Sequence, residues 1–154
     1  MRKRRLRTGV ALAAIVGSQM ITGLAGPAHA ASQAECVGGA NGFRDISDSA
    51  SGIKQVYKQD DSRTVEINIQ TVVLGHETTS RGFAKIQGQT RSGDLIWMDW
   101  TRDHGRTWIQ CGPFTITANG QTKTSAAQST SSDDAWRFRA GGVIRGKLYV
   151  TDWW

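Results

Sequence analysis

Four carboxylates near the middle of the chain, Glu66, Glu77, Asp94 and Asp99, are the residues best suited to acid–base chemistry. Glycoside hydrolysis needs two such groups facing each other, roughly 5 to 10 Å apart. Spacing along the chain does not pair them. Glu66 lies between Val65 and Ile67 on an alternating stretch, which directs it toward solvent. His76-Glu77 with Arg81 suits ribonuclease-like proton transfer, and suits equally a polar loop after a strand. No nucleophile elbow, Ser-His-Asp order, phosphate loop or zinc spacing occurs. Asp99, Thr101 and Asp103 alternate as calcium ligands do, but Gly105 falls one place late for an EF-hand loop and no closing Glu follows. No catalytic residue, metal or cofactor is therefore assigned.

The second resource is aromatic. Trp97, Trp100, Trp108, Trp136, Trp153 and Trp154 all lie in the second half of the chain. Each indole can bury a large area while offering a flat face and an N–H. An odd offset on a strand separates Trp97 from Trp100 and Trp153 from Trp154, so some indoles face outward. One reading has the tryptophans covering a thin core and the hairpin edges. The other makes an exposed strip of them a binding surface for sugar rings or a partner, with Trp100, Trp136 and Trp154 as the candidates.

One motif is specific. Thr101-Arg102-Asp103-His104-Gly105-Arg106-Thr107-Trp108 reads T-x-D-x-G-x-T-W. Asp103 can accept hydrogen bonds from amides within the turn, and Gly105 can take the positive φ of a tight hairpin. Thr107 and Trp108 begin the return strand. The run resembles the Asp-box, S-x-D-x-G-x-T-W, with Thr101 for the leading Ser. In sialidases and other secreted β-proteins that box is a folding element away from the catalytic centre. The resemblance implies structural roles for Thr101, Asp103, Gly105, Thr107 and Trp108, and associates the chain with sugars only by company. A wider stretch, Ile96-Trp97-Met98-Asp99-Trp100, Trp108-Ile109-Gln110-Cys111-Gly112-Pro113-Phe114, Arg137-Phe138-Arg139-Ala140-Gly141-Gly142 and Thr151-Asp152-Trp153-Trp154, resembles a group of small secreted actinobacterial proteins of largely unknown function. Related segments accompany glycosidase domains in some secreted enzymes. Members often carry cysteines at the positions of Gly141 and Val150 here. Loss of both together implies a lost disulfide, with the C-terminal strand held by packing alone.

Residues 1–30 read as a cleavable signal peptide. Arg2, Lys3, Arg4, Arg5 and Arg7 form a basic start, Val10 to Leu24 is small and apolar, and Ala28-His29-Ala30 supplies small residues before the cut. The apolar stretch is too interrupted for a membrane span. Those five basic residues account for most of the net +6; without them 14 of the 19 Lys and Arg face 13 Asp and Glu. A nucleic-acid partner loses its basic footprint. No membrane association is expected after cleavage. Cys36 and Cys111, the only cysteines, most simply form one disulfide in an oxidising compartment.

The elements that must position these residues are strands. Residues 31–50 are small, polar and Gly-rich, an irregular arm held near Cys36. Period-two alternation marks strands at Gly52–Lys58, Thr64–Leu74, Arg81–Thr90, Leu95–Thr101, Thr107–Thr117, Ala135–Ala140 and Lys147–Trp154. Asn119-Gly120 signals a hairpin, Gly141-Gly142 and Gly146 signal turns, and Ser125–Asp134 reads as a long mobile loop. The fold expected over 51–154 is all-β, a β-sandwich of seven to eight short antiparallel strands, with a small barrel as the alternative. The functional expectation is a secreted, extracellular, monomeric, non-catalytic protein binding a glycan or another secreted protein. A small hydrolase acting on glycan or RNA and a secreted inhibitor using the Ser125–Asp134 loop are the alternatives.

Overall fold

A computed structural model describes residues 32–154; the signal peptide expected over residues 1–30 lies outside the described residues. Nine strands form two antiparallel sheets: β1 (Ile53–Gln59), β2 (Val65–Val73), β3 (Ser80–Gly88), β4 (Leu95–Thr101), β5 (Ile109–Thr115), β6 (Lys123–Thr124), β7 (Gln128–Ser129), β8 (Arg137–Ile144) and β9 (Lys147–Val150). One sheet runs β1-β2-β3, with β6 and β7 both on the free edge of β3; the other runs β5-β4-β8-β9. The protein is an all-β sandwich, not a barrel.

Alternation sets what each sheet turns inward. Val65, Ile67 and Ile69 of β2 stand opposite Gly88, Ile86 and Ala84 of β3. On the other sheet Ile96, Met98 and Trp100 are in phase, opposite Gly142, Ala140 and Phe138. Except for Gly88, which is exposed at the strand end, these inner residues are buried, each aliphatic contributing roughly 1.5–3 kcal/mol relative to exposure. The sheets approach most tightly where side chains vanish: a Cβ on Gly142 would stand 3.0 Å from Ile67 Cγ2, and one on Gly82 would stand 3.2 Å from the Phe138 ring.

The arm is short helical turns at Gln33–Glu35 and Val37–Gly42 followed by extended chain. It is clamped rather than loose. Cys36 is bonded to Cys111, Ser32 bridges the same residue of β5, and Arg44 and Ala127 exchange two backbone hydrogen bonds of 2.8 Å. Phe43 enters the core edge-on to Trp100 at 5.7 Å.

Three local expectations give way. Asn119-Gly120 turns the chain between sheets rather than within a hairpin, because β5 pairs β4 while β6 pairs β3. Gly141 and Gly142 lie inside β8 and the turn is at Arg145-Gly146; the glycines are there for close approach, not for turning. Ser125–Asp134 is not one mobile loop. Ser125 to Gln128 are buried, and Ala84 N and Ser125 N bond across to Ser125 Oγ and Ala84 O at 3.0 and 2.9 Å.

Gly141 and Val150 are direct cross-strand partners. The C-terminal strand is not held by packing alone: Phe138 and Trp154 exchange backbone hydrogen bonds of 2.9 and 2.8 Å, and Thr151 N reaches Ala140 O at 2.9 Å. Trp97 fills the space above Gly141, where a Cβ would stand 2.2 Å from Trp97 Cε2. Gly141→Ala must therefore displace the indole. It is expected to cost about 1–3 kcal/mol and to red-shift tryptophan emission; unchanged melting and emission would show that Trp97 does not rest on this position.

Candidate functional site

The β4–β5 connection organises the tryptophan-rich end. Asp103 Oδ1 and Oδ2 accept from Thr107 N at 2.9 and 3.1 Å, and Oδ2 accepts from Thr107 Oγ1 at 2.6 Å. Thr101 Oγ1 donates to Asp103 Oδ1 at 2.7 Å and accepts from Gly105 N at 3.0 Å. His104 and Gly105 take positive φ, 60° and 84°, which a glycine tolerates without strain. The Thr107 hydroxyl and amide, then the Thr101 hydroxyl, hold the Asp103 carboxyl down at about 2. All of its acceptor capacity is spent inside the loop. The loop is fastened to the β7–β8 segment by His104 N on Ala135 O at 3.0 Å.

Of the six indoles only Trp97 and Trp100 lie within a strand, β4, and its alternation separates them. Trp100 is not exposed. In phase with Ile96 and Met98 it points into the sandwich and is 5% accessible. Trp136 is half-buried and packs against it at 4.9 Å, and the Arg102 guanidinium lies 5.3 Å from the Trp100 ring and 6.0 Å from the Trp136 ring. The phase with Ile96 and Met98 is the sequence signal that identifies Trp100 as core. Trp154 is 40% exposed and packs on Phe138 at 5.9 Å. Trp136 and Trp154, two of the three candidate binding residues, line one open depression of about 310 Å³ with Ser131, Asp133, Asp134 and Arg137. The indole N–H groups of Trp100 and Trp136 are buried without a partner. Asp134 is highly exposed, with His104 Nε2 4.0 Å from its carboxylate.

On the outer face of the β5-β4-β8-β9 sheet the structure assembles a group that sequence reading did not single out. Arg139 Nε donates to Asp99 Oδ2 at 2.8 Å. Its guanidinium lies 4.4 Å from the Trp153 ring and 5.1 Å from the Trp108 ring, and those rings meet at 63° with centroids 6.4 Å apart. The Asp99 side chain is only 3% exposed, and its Oδ1 has no hydrogen-bond partner. Burial pushes the Asp99 carboxyl up, and Arg139, helped by the neighbouring Trp97 indole N–H, which lies outside strict hydrogen-bond geometry to Oδ1, opposes this without cancelling it. The available signal was cross-strand: Asp99 and Arg139 are partners in the β4–β8 register, but no local pattern pairs residues 40 apart.

The other carboxylates are engaged separately. Glu66 does not point freely to solvent. It accepts from Lys54 Nζ at 2.8 and 3.0 Å and from Asn68 Nδ2 at 2.8 Å, on a face where the chain entering β1 also lies: Lys85 Nζ donates to Ala50 O at 2.6 Å. Glu77 is gripped by Arg81 Nε at 2.7 Å and by Arg44, while His76 bonds to neither Glu77 nor Arg81 among the described residues. Asp94 accepts from Arg91 N and Arg145 N, both at 2.8 Å, and so fixes two turns. Among the described residues no hydrogen bond joins any two of Glu66, Glu77, Asp94 and Asp99. No group of three or more His, Cys, Asp or Glu gathers there as metal ligands, and no helix there is long and apolar enough to cross a membrane.

Another depression, of about 330 Å³, is lined by the arm residues Val37 and Asp45 to Asp48 together with Phe114 and Lys123 to Ala126. Its polar groups already satisfy one another: Asp48 accepts from Lys123 Nζ at 2.9 Å and Thr124 N at 3.0 Å. The tryptophan-rich end, where Trp108 and Trp154 are exposed and the Asp134 carboxylate is open, is the better site. Comparison with known proteins finds no matching family model, curated protein or solved structure.

Proposed function

We propose that the protein is a secreted, monomeric, non-catalytic glycan-binding module whose sugar-contacting surface is the Trp136–Trp154 depression. The observation that carries this reading is the combination of an indole 40% exposed on Trp154 with the half-buried ring of Trp136 and an exposed carboxylate on Asp134 in one concavity. A pyranose presents an apolar C–H face for stacking and a rim of hydroxyls that both donate and accept. Indoles and carboxylates meet those two requirements. Secretion is supported by the three-part leader in residues 1–30 and by a disulfide of the kind oxidising compartments permit. The Asp-box-like run Thr101–Trp108 adds the company such loops keep in secreted proteins.

The test is retention on insoluble polysaccharides, followed by titration with soluble fragments of whichever is retained. Trp154→Ala is expected to weaken binding about tenfold, the equivalent of about 1.4 kcal/mol, while the exposed Leu148→Ala on β9 leaves it unchanged. Trp100→Ala belongs outside this comparison, because it opens the core. Absence of retention on every polysaccharide, or retention indifferent to Trp154→Ala, would remove the reading.

A further inference from the structure

We infer that Arg139 is an anion reader and that the glycan this protein takes is carboxylated, its uronate group bound in the plane of the Arg139 fork beside Trp108 and Trp153. The inference rests on the glycan reading but uses a different face of the same end.

Arg139 spends one of its five N–H groups, the one on Nε, on Asp99. Its Nη1 and Nη2 bond to no described residue, and the side chain is 25% exposed. Two indoles set at an angle wall the guanidinium, and Asp99 occupies its Nε edge. The edge that remains carries paired, parallel donors, the geometry that a planar carboxylate accepts bidentately. A planar carboxylate matches both donors of that edge at once, whereas a tetrahedral sulfate carries oxygens out of the guanidinium plane. Trp108, 38% exposed and 5.1 Å from the guanidinium, is the indole on which the sugar ring that bears the acid would rest.

The Asp99–Arg139 pair is otherwise hard to account for. Asp99 is buried with one oxygen unpaired, and pairing does not offset its burial. Buried ion pairs of that kind add little to stability compared with apolar replacements. What Asp99 does accomplish is to fix the guanidinium against the indole wall with its outer nitrogens free. Asp99 is thus a positioning residue and Arg139 the contact. Position also links this group to the depression. Arg137, which lines it, and Arg139 lie two residues apart on β8, so about 7 Å separates them along the strand. A single oligosaccharide can span both.

The experiment titrates the whole secreted chain with oligomers of polygalacturonate, with their methyl esters, and with dextran sulfate, following tryptophan emission and heat. The free acid is expected to bind at least tenfold tighter than its ester. Arg139→Lys keeps a charge opposite Asp99 and should abolish that preference while leaving ester binding as it is. Trp154→Ala should weaken acid and ester by the same factor. If Arg139→Lys unfolds, the neutral pair Asp99→Asn with Arg139→Gln replaces it, with the same expected loss of preference. Equal affinity for acid and ester, or a preference that survives loss of the guanidinium, overturns the inference and leaves glycan binding standing. Dextran sulfate bound as tightly as polygalacturonate overturns the carboxylate assignment in favour of charge alone. Binding to none of the polysaccharides tested, charged or neutral, overturns both.

Discussion

Removing the Cys36–Cys111 bridge is expected to lower the stability of the native domain by about 4 kcal/mol and its Tm by about 15 °C. The two cysteines are 75 residues apart in sequence. Cross-linking them takes from the unfolded chain the freedom to open a loop of that length, and the logarithmic dependence on loop size yields the figure quoted. The native state adds to it. The bridge ties the arm to β5 beside the Ser32 contact with Cys111, and the arm delivers Phe43 to the core face of Trp100. An arm freed at Cys36 leaves Arg44 with Ala127 and Asp48 with Lys123 and Thr124 to hold Phe43 in place. Partial release of Phe43 would uncover Trp100. Thermal melts of the oxidised protein, the reduced protein and the double variant Cys36→Ala with Cys111→Ala check this, with near-UV circular dichroism reporting on Trp100. Both cysteines are fully buried, so alanine avoids placing an unpaired hydroxyl in the core. Melting within a few degrees of the oxidised protein would mean that the arm is held without the bridge.

The sandwich was readable in the sequence where strand period and burial agree. Val65, Ile67 and Ile69 alternate and face inward, and the β4–β5 hairpin falls where the turn residues put it. What period two does not contain is direction: it separates Trp97 from Trp100 without saying which enters the core. The phase of Trp100 with Ile96 and Met98 decides that, and this neighbour relation was legible. Glycine marks the turn at Gly146 but not at Gly141 and Gly142, which sit mid-strand, where Trp97 and Ile67 leave no room for a Cβ. The polarity of Ser125–Asp134 suggested a free loop. Its first half instead pairs with β3 and buries Ala126, Ala127 and Gln128, because small side chains and satisfied backbone allow a polar stretch to line a closed edge. The candidate site was half legible. Trp136 and Trp154 do share a depression, but the Asp99–Arg139 pair depends on register between strands far apart in sequence.

Arg139→Ala is the second large effect, an expected loss of about 3–5 kcal/mol at pH 7, because it leaves Asp99 buried without its one charged partner. The pH dependence separates that cause from others. The Asp99 carboxyl already sits above its ordinary value of 3.8 through burial, with Arg139 pulling the other way. An acid whose folded pKa is raised binds its proton more tightly in the native state. The native state is therefore favoured at low pH, and that contribution is lost as pH rises from 3.8 through the raised value. Without Arg139 the value climbs further, so the variant's deficit is full at neutral pH and shrinks on acidification toward about pH 4 as Asp99 takes up its proton. Asp99→Asn removes the titrating charge, and in the Arg139→Ala background it is expected to restore most of the loss at pH 7, the non-additivity expected of groups in contact. Denaturant melts of the four proteins at several pH values give that cycle. Arg139 also rests against Trp153 and Trp108, contacts worth about 0.5–2 kcal/mol and indifferent to pH in this range. A deficit that neither acidification nor the Asp99→Asn substitution relieves would place the stabilising effect in those indole contacts, and Asp99 would then be buried at no cost that Arg139 offsets.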